Sequence, residues 1–189
     1  MIGPLLKKHF TLLSLDDRVK ASCAIMNISD PTPATNPARI SEFEVRHDLK
    51  LPDDYRAFLL GQNGGYPYPK SYAADSGVEI CVSRLLSLDA DAYYNDLDKT
   101  RDAACWTGKD EHGIIQIAYD VGGQIILLAT KGSLAGTVYL IIEEQAYLVA
   151  ESFTDFLTKL DSRYGFDPSS EDELMMDRIF GNQGEPLKS

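Results

Sequence analysis

Three cysteines and three histidines are all the thiol and imidazole chemistry in this chain of 189 residues. Cys23, Cys81 and Cys105 are odd in number, widely spaced and without a Cys-x-x-Cys pair. That pattern excludes a disulfide framework and a cysteine zinc site, and the three read as small buried hydrophobes in a reducing compartment. His9, His47 and His112 have no partner at i, i+4, so a histidine metal site or a histidine-dependent triad has no basis, and each reads as a surface histidine. No apolar run reaches the roughly 20 residues of a spanning helix. The opening MIGPLLKKHFTLLSL has lysines inside its apolar residues and no small-residue cleavage site after it, so a secretory leader is not expected. Ile2 in place of glycine removes the myristoylation signal. The expected location is the cytoplasm.

Positive charge is also scarce. With 29 acidic against 18 basic side chains, the formal charge is -11. The mean field repels phosphate backbones and anionic lipid headgroups, which argues against nucleic acid and membrane as direct partners. The same field draws in a basic protein and helps to orient it.

Phosphate and nucleophile motifs are missing too. There is no GxxxxGK[ST], no GxGxxG after a strand and no GxSxG; GSLAG has its serine in the wrong place, so Ser133 reads as a turn residue. Asn63-Gly64-Gly65 follows a helix, whereas phosphate cradles place glycines after a strand, so these residues read as a helix stop. The acidic run DADAYYNDLD at 89–98 fails as a calcium loop. Asp89 and Asp91 fit its first two ligand positions, but Tyr93 falls on the third, Tyr94 on the turn glycine and Thr100 on the bidentate glutamate. Asp110, Glu111 and His112 precede a strand, where a polar turn is the expected reading. No catalytic residue, metal site or cofactor is expected.

What is present is ordered punctuation. SDPTPATNPAR at 29–39 holds three prolines and no large apolar residue, a linker that sets residues 1–39 apart as an N-terminal extension. Ile40, Phe43, Val45 and Leu49 approximate helical spacing. A second helix starts at Pro52, with Asp53 and Asp54 favoured by the dipole of its first turn, buries Tyr55, Phe58 and Leu59, and stops at the double glycine. VEICV at 78–82 reads as a strand and residues 83–105 as loop and then helix. IIQIAY, QIILLA and TVYLII, separated by turn chemistry, give an antiparallel meander; AYLVA adds a fourth run, and FTDFLTKL closes with one apolar helical face. Residues 165–189 read as an accessory helix and tail.

Ile40, Phe43 and Glu44, then LPDDYRAFL, NGGYP, IIQIAYDVGGQIIL, GTVYLI and SFTDFLTKL, together resemble the SUKH superfamily, the Smi/Knr-type fold of bacterial toxin-immunity proteins and fungal cell-wall regulators. The resemblance covers residues 40–160, within a domain taken as 40–164. It implies an α+β fold, with N-terminal helices packed on a mostly antiparallel sheet and closed by a C-terminal helix, which agrees with the element order above. It implies no catalytic residues: the bacterial members bind and neutralise a cognate toxin, often a nuclease. A stoichiometric inhibitor of a basic toxin is the expected function, and an intracellular scaffold or regulatory module of the same fold is the alternative.

Docking residues are expected where aromatic and acidic side chains mix. Tyr93 and Tyr94, interleaved with Asp89, Asp91 and Asp96, combine aromatic anchors with electrostatic steering, although a solvated helix start accounts for the same run. Tyr66, Tyr68 and Tyr72, in a proline-containing loop without periodicity, read as displayed, with capping of the sheet edge or core as the alternative.

Overall fold

The computed structural model describes residues 27–68, 70–73, 77–103, 113–143 and 145–160. The N-terminal segment, the accessory helix, His9, His112, Cys23, Cys105, Asp110 and Glu111 lie outside them. The described chain is α+β: four helices and a curled six-stranded antiparallel sheet, with a two-stranded ribbon beside it.

Helix α1, Pro37–Arg46, starts three residues before the predicted position. Asn36 caps it by accepting from the Arg39 amide (3.0 Å), and Pro37 takes the first turn, where a missing N–H costs nothing. Glu44 then turns the corner into helix α2, Asp53–Gly61: its carboxylate accepts from the Leu51 amide (3.0 Å) and from Arg56 (2.7 Å). Asn63, Gly64 and Gly65 follow with φ of 52°, 80° and 117°. A Cβ at Gly64 would lie 2.7 Å from the Cβ of Ser87, so the stop is also a point of close approach. The buried Asn63 amide fixes it, donating to the carbonyls of Pro33 (2.7 Å) and Leu88 (3.0 Å) while accepting from the Leu88 amide (2.9 Å).

Strands β1 (Asn27–Ser29) and β2 (Tyr66–Tyr68) pair with each other. Strand β3 (Ser71–Ala73) pairs with β4 (Glu79–Leu85) and begins the main sheet, so residues 66–73 are largely extended ladder and not the loop expected. Helix α3, Leu97–Ala103, follows a 3-10 turn at Tyr93–Asn95. The meander is as expected, β5 (Ile115–Asp120), β6 (Ile125–Leu128), β7 (Val138–Ile142) and β8 (Gln145–Ala150), in sequential order β3 to β8. Helix α4, Phe153–Lys159, is capped by Ser152.

One core joins these layers. Ile40 and Phe43 of α1, Tyr55 and Phe58 of α2, and Phe153 and Phe156 of α4 are fully buried with Ile80, Ile117, Ile126 and Leu140 of the sheet. Phe153 stands edge-on to Tyr55 at 4.7 Å between centroids and lies 5.0 Å from Phe58. The buried Asp54 carboxylate crosses between α2 and α4, accepting from the Thr154 amide (2.8 Å) and hydroxyl (3.2 Å). Helix termini leave amides unpaired, and here a carboxylate 100 residues away supplies the partner.

Candidate functional site

Two neighbouring arrangements stand out at the α1, 86–98 and α3 side of the molecule. The first is charged. Asp98, in the first turn of α3, accepts from Arg39 (2.6 Å), His47 Nε2 (2.6 Å) and Arg46 (3.3 Å). Arg39 also donates to Asp89 (2.7 Å). Burial works against charge in this cluster, yet hydrogen bonding prevails: Arg39 and His47 hold Asp98 below the usual carboxylate range, and Asp98 and Asp89 hold the Arg39 guanidinium above its ordinary value. A carboxylate so saturated is a poor proton acceptor at neutral pH. An open cleft of about 450 Å³ lies over this cluster, lined by Arg39, Arg46, Asp89, Ala90, Asp91, Asp96, Asp98 and Lys99. Among the described residues no three His, Cys, Asp or Glu side chains converge as a metal ion would require.

The second arrangement is aromatic. Tyr93 and Tyr94 form the 3-10 turn and are 56% and 65% exposed. Tyr119 donates its hydroxyl to Asn95 (2.9 Å), and burial, with Tyr66 close by, raises its pKa. The Arg84 guanidinium sits 4.5 Å above the Tyr66 ring and donates to Asp30 (3.2 Å). Tyr66, Arg84, Tyr119 and Tyr94 thus occupy one neighbourhood, built by β2, β4, β5 and the 3-10 turn.

Six of the eight residues expected to dock a partner lie at the surface. Tyr66, Tyr68, Tyr93, Tyr94, Asp89 and Asp91 are exposed, with Asp89 tied to Arg39. Tyr72 and Asp96 are not displayed. Tyr72 is 7% exposed because β3 pairs it with Ile80 at the edge of the core, and the Lys159 ammonium lies 5.4 Å from its ring. Asp96 is 2% exposed and caps α3, accepting from the amides of Asp98 and Lys99, both at 3.0 Å. His47 is buried against Phe43 and Asp98, unlike the surface histidine expected, and Cys81 is only partly buried. The sequence reading also missed Arg39, Arg46 and Asp98. A signal for the two arginines existed: Arg39, Arg46 and His47 stand seven and eight residues apart, a spacing that returns to one helical face.

A family model described as SMI1 / KNR4 family (SUKH-1) matches residues 34–159, more than half of the chain. The chain belongs to the SMI1/KNR4 (SUKH-1) family. No curated protein matches the chain. The SUKH-1 match runs from the linker before α1 through α4, so it contains the Asp98 cluster, the 3-10 turn and the whole sheet. No helix among the described residues is long and apolar enough to cross a membrane.

Proposed function

We propose that the chain is an immunity protein that binds a cognate bacterial toxin and neutralises it by stoichiometric occlusion, without catalysis of its own. The observation that carries this reading is membership of the SUKH-1 family over residues 34–159. The exposed residues support it physically. Tyr93, Tyr94, Tyr66 and Tyr68 offer rigid aromatic contact area at low entropic cost, and Asp89 and Asp91 sit among them. A charge of -11 favours a basic toxin such as a nuclease, whose substrate-binding surface a polyanion can cover. The Asp98 carboxylate, already shared by three donors, is left to architecture in this reading.

Co-expression with the protein encoded by the neighbouring reading frame tests the proposal. The expected result is rescue of growth and co-purification as a stoichiometric complex whose affinity falls steeply with salt. Failure of both rescue and co-purification, or turnover of a substrate by the isolated chain, overturns it.

A further inference from the structure

Alternate residues of a strand point to opposite faces, and directly paired residues share a face, so the register sorts the sheet's side chains. Ile126, Leu128, Val138 and Leu140 point into the core and are fully buried. On the other face Arg84, Tyr119, Ile125, Ile141 and Ala146 pair in one row across β4 to β8. Gln116, Leu127, Tyr139 and Leu148 pair in the next. An antiparallel sheet with a solvated face ordinarily alternates apolar-in with polar-out. Here the outward positions of both rows in β5 to β8 carry no charge. Leu148 is 51% exposed and Ile125, Tyr139 and Ile141 are partly exposed, whereas Leu127, paired between Gln116 and Tyr139, is buried.

This apolar face is continuous with the exposed tyrosines, because Tyr119 begins its first row and bonds Asn95 beside Tyr94. At its β4 end Arg84 is ion-paired with Asp30, and at the other end the exposed Glu143 occupies the β7–β8 turn. Five strands at the usual spacing span roughly 19 Å, a width suited to a protein contact of about 800 Å² per partner. A second copy of the chain would bring a further charge of -11 against the chain's own -11.

Resting on the function proposed above, we propose that this outward sheet face is the apolar centre of the docking surface. Its occupant is the basic toxin, which is drawn by the overall charge of -11, lays an apolar patch on Ile125, Ile141 and Leu148 and sets a cation against Glu143. The notable point is placement: binding uses the face of the sheet opposite the helices, in addition to the 3-10 turn.

The test uses the full-length chain and the protein encoded by the neighbouring reading frame, with affinity by calorimetry, folding by thermal melting and oligomeric state by sedimentation. Leu148→Arg, on the edge strand, is expected to weaken binding about thirtyfold, as loss of an interface anchor does, with a melting temperature near wild type. Ile125→Thr keeps a β-branched side chain, gives a smaller loss in the same direction, and carries the test if Leu148→Arg does not fold. Wild-type binding that both folded variants retain overturns the face and leaves the immunity reading intact. Absence of binding by the wild type overturns both. A wild-type dimer that Leu148→Arg converts to monomer overturns the assignment to a toxin, because the face then belongs to self-association.

Discussion

The Asp98 cluster and the sheet's outward face lie on one domain and differ in every respect that matters for recognition. The cluster is densely charged, and its charges are spent on one another: Asp98 has three donors and Arg39 two acidic acceptors. The outward face has almost no charge, but Tyr139, Ile141 and Leu148 keep surface that nothing in the ladder uses. A dense group of ionisable side chains is thus no guide to function when each is already paired, whereas unspent apolar area is a resource for binding.

The sharpest way to break this contrast is to remove the hub of the cluster. Asp98→Ala leaves Arg39 and His47 without their shared acceptor, and stability measured by urea denaturation is expected to fall by about 3 kcal/mol, with affinity for the toxin preserved in the folded fraction. Next in size, Asn63→Ala strips three hydrogen bonds from buried backbone groups and places alanine at a positive φ; a loss of about 2 to 3 kcal/mol is expected from the same measurement. On the binding side, Tyr94→Ala should leave stability within about 0.5 kcal/mol while weakening the complex about tenfold. Equal losses of stability and affinity would erase the distinction between the two regions.

The smallest effect is a matter of pH. Because Asp98 is held below the ordinary carboxylate value, the folded chain binds fewer protons than the unfolded chain near pH 4. Its contribution is complete above that ordinary value and is lost as the pH falls through the folded one. Stability of Asp98→Asn should therefore decline less steeply on acidification than that of wild type, and parallel declines would show that the cluster does not set the acid limb. Asp91→Asn, an exposed charge at the cleft, should alter mainly the salt dependence of association.

Much of this fold was readable in the sequence because its signals are local. The Pro52 start, the Asn63 stop, the apolar face of α4 and the hairpin turns all depend on residues a few positions apart. What escaped depends on pairing and capping that residue type alone does not announce. Strands β1, β2 and β3 are three residues each and Pro67 interrupts the β pattern; β1 and β2 become strands by pairing across 37 to 41 positions, and β3 by pairing with residues 6 to 10 positions further on. The same pairing buries Tyr72, which alone in the sequence looks like its displayed neighbours. Asp96 was misread for the opposite reason: it sits in an acidic run that looks solvated, yet its position before Leu97 makes it a cap. Of the residues proposed to dock a partner, the exposed tyrosines were legible and the outward sheet face was not, although QIILLA and TVYLII, apolar at successive positions, already carry apolar side chains for both sides.

The carboxylate of Asp54 reaches Thr154, and the rings of Tyr55 and Phe58, stacked on each other, take Phe153 as part of their cover. During synthesis those two rings therefore leave the ribosome long before their cover exists: at about 5 to 20 residues per second the wait for the last helix is roughly 5 to 20 seconds. Through that interval the front of the nascent chain carries an apolar helix face whose last packing partner has not yet been made.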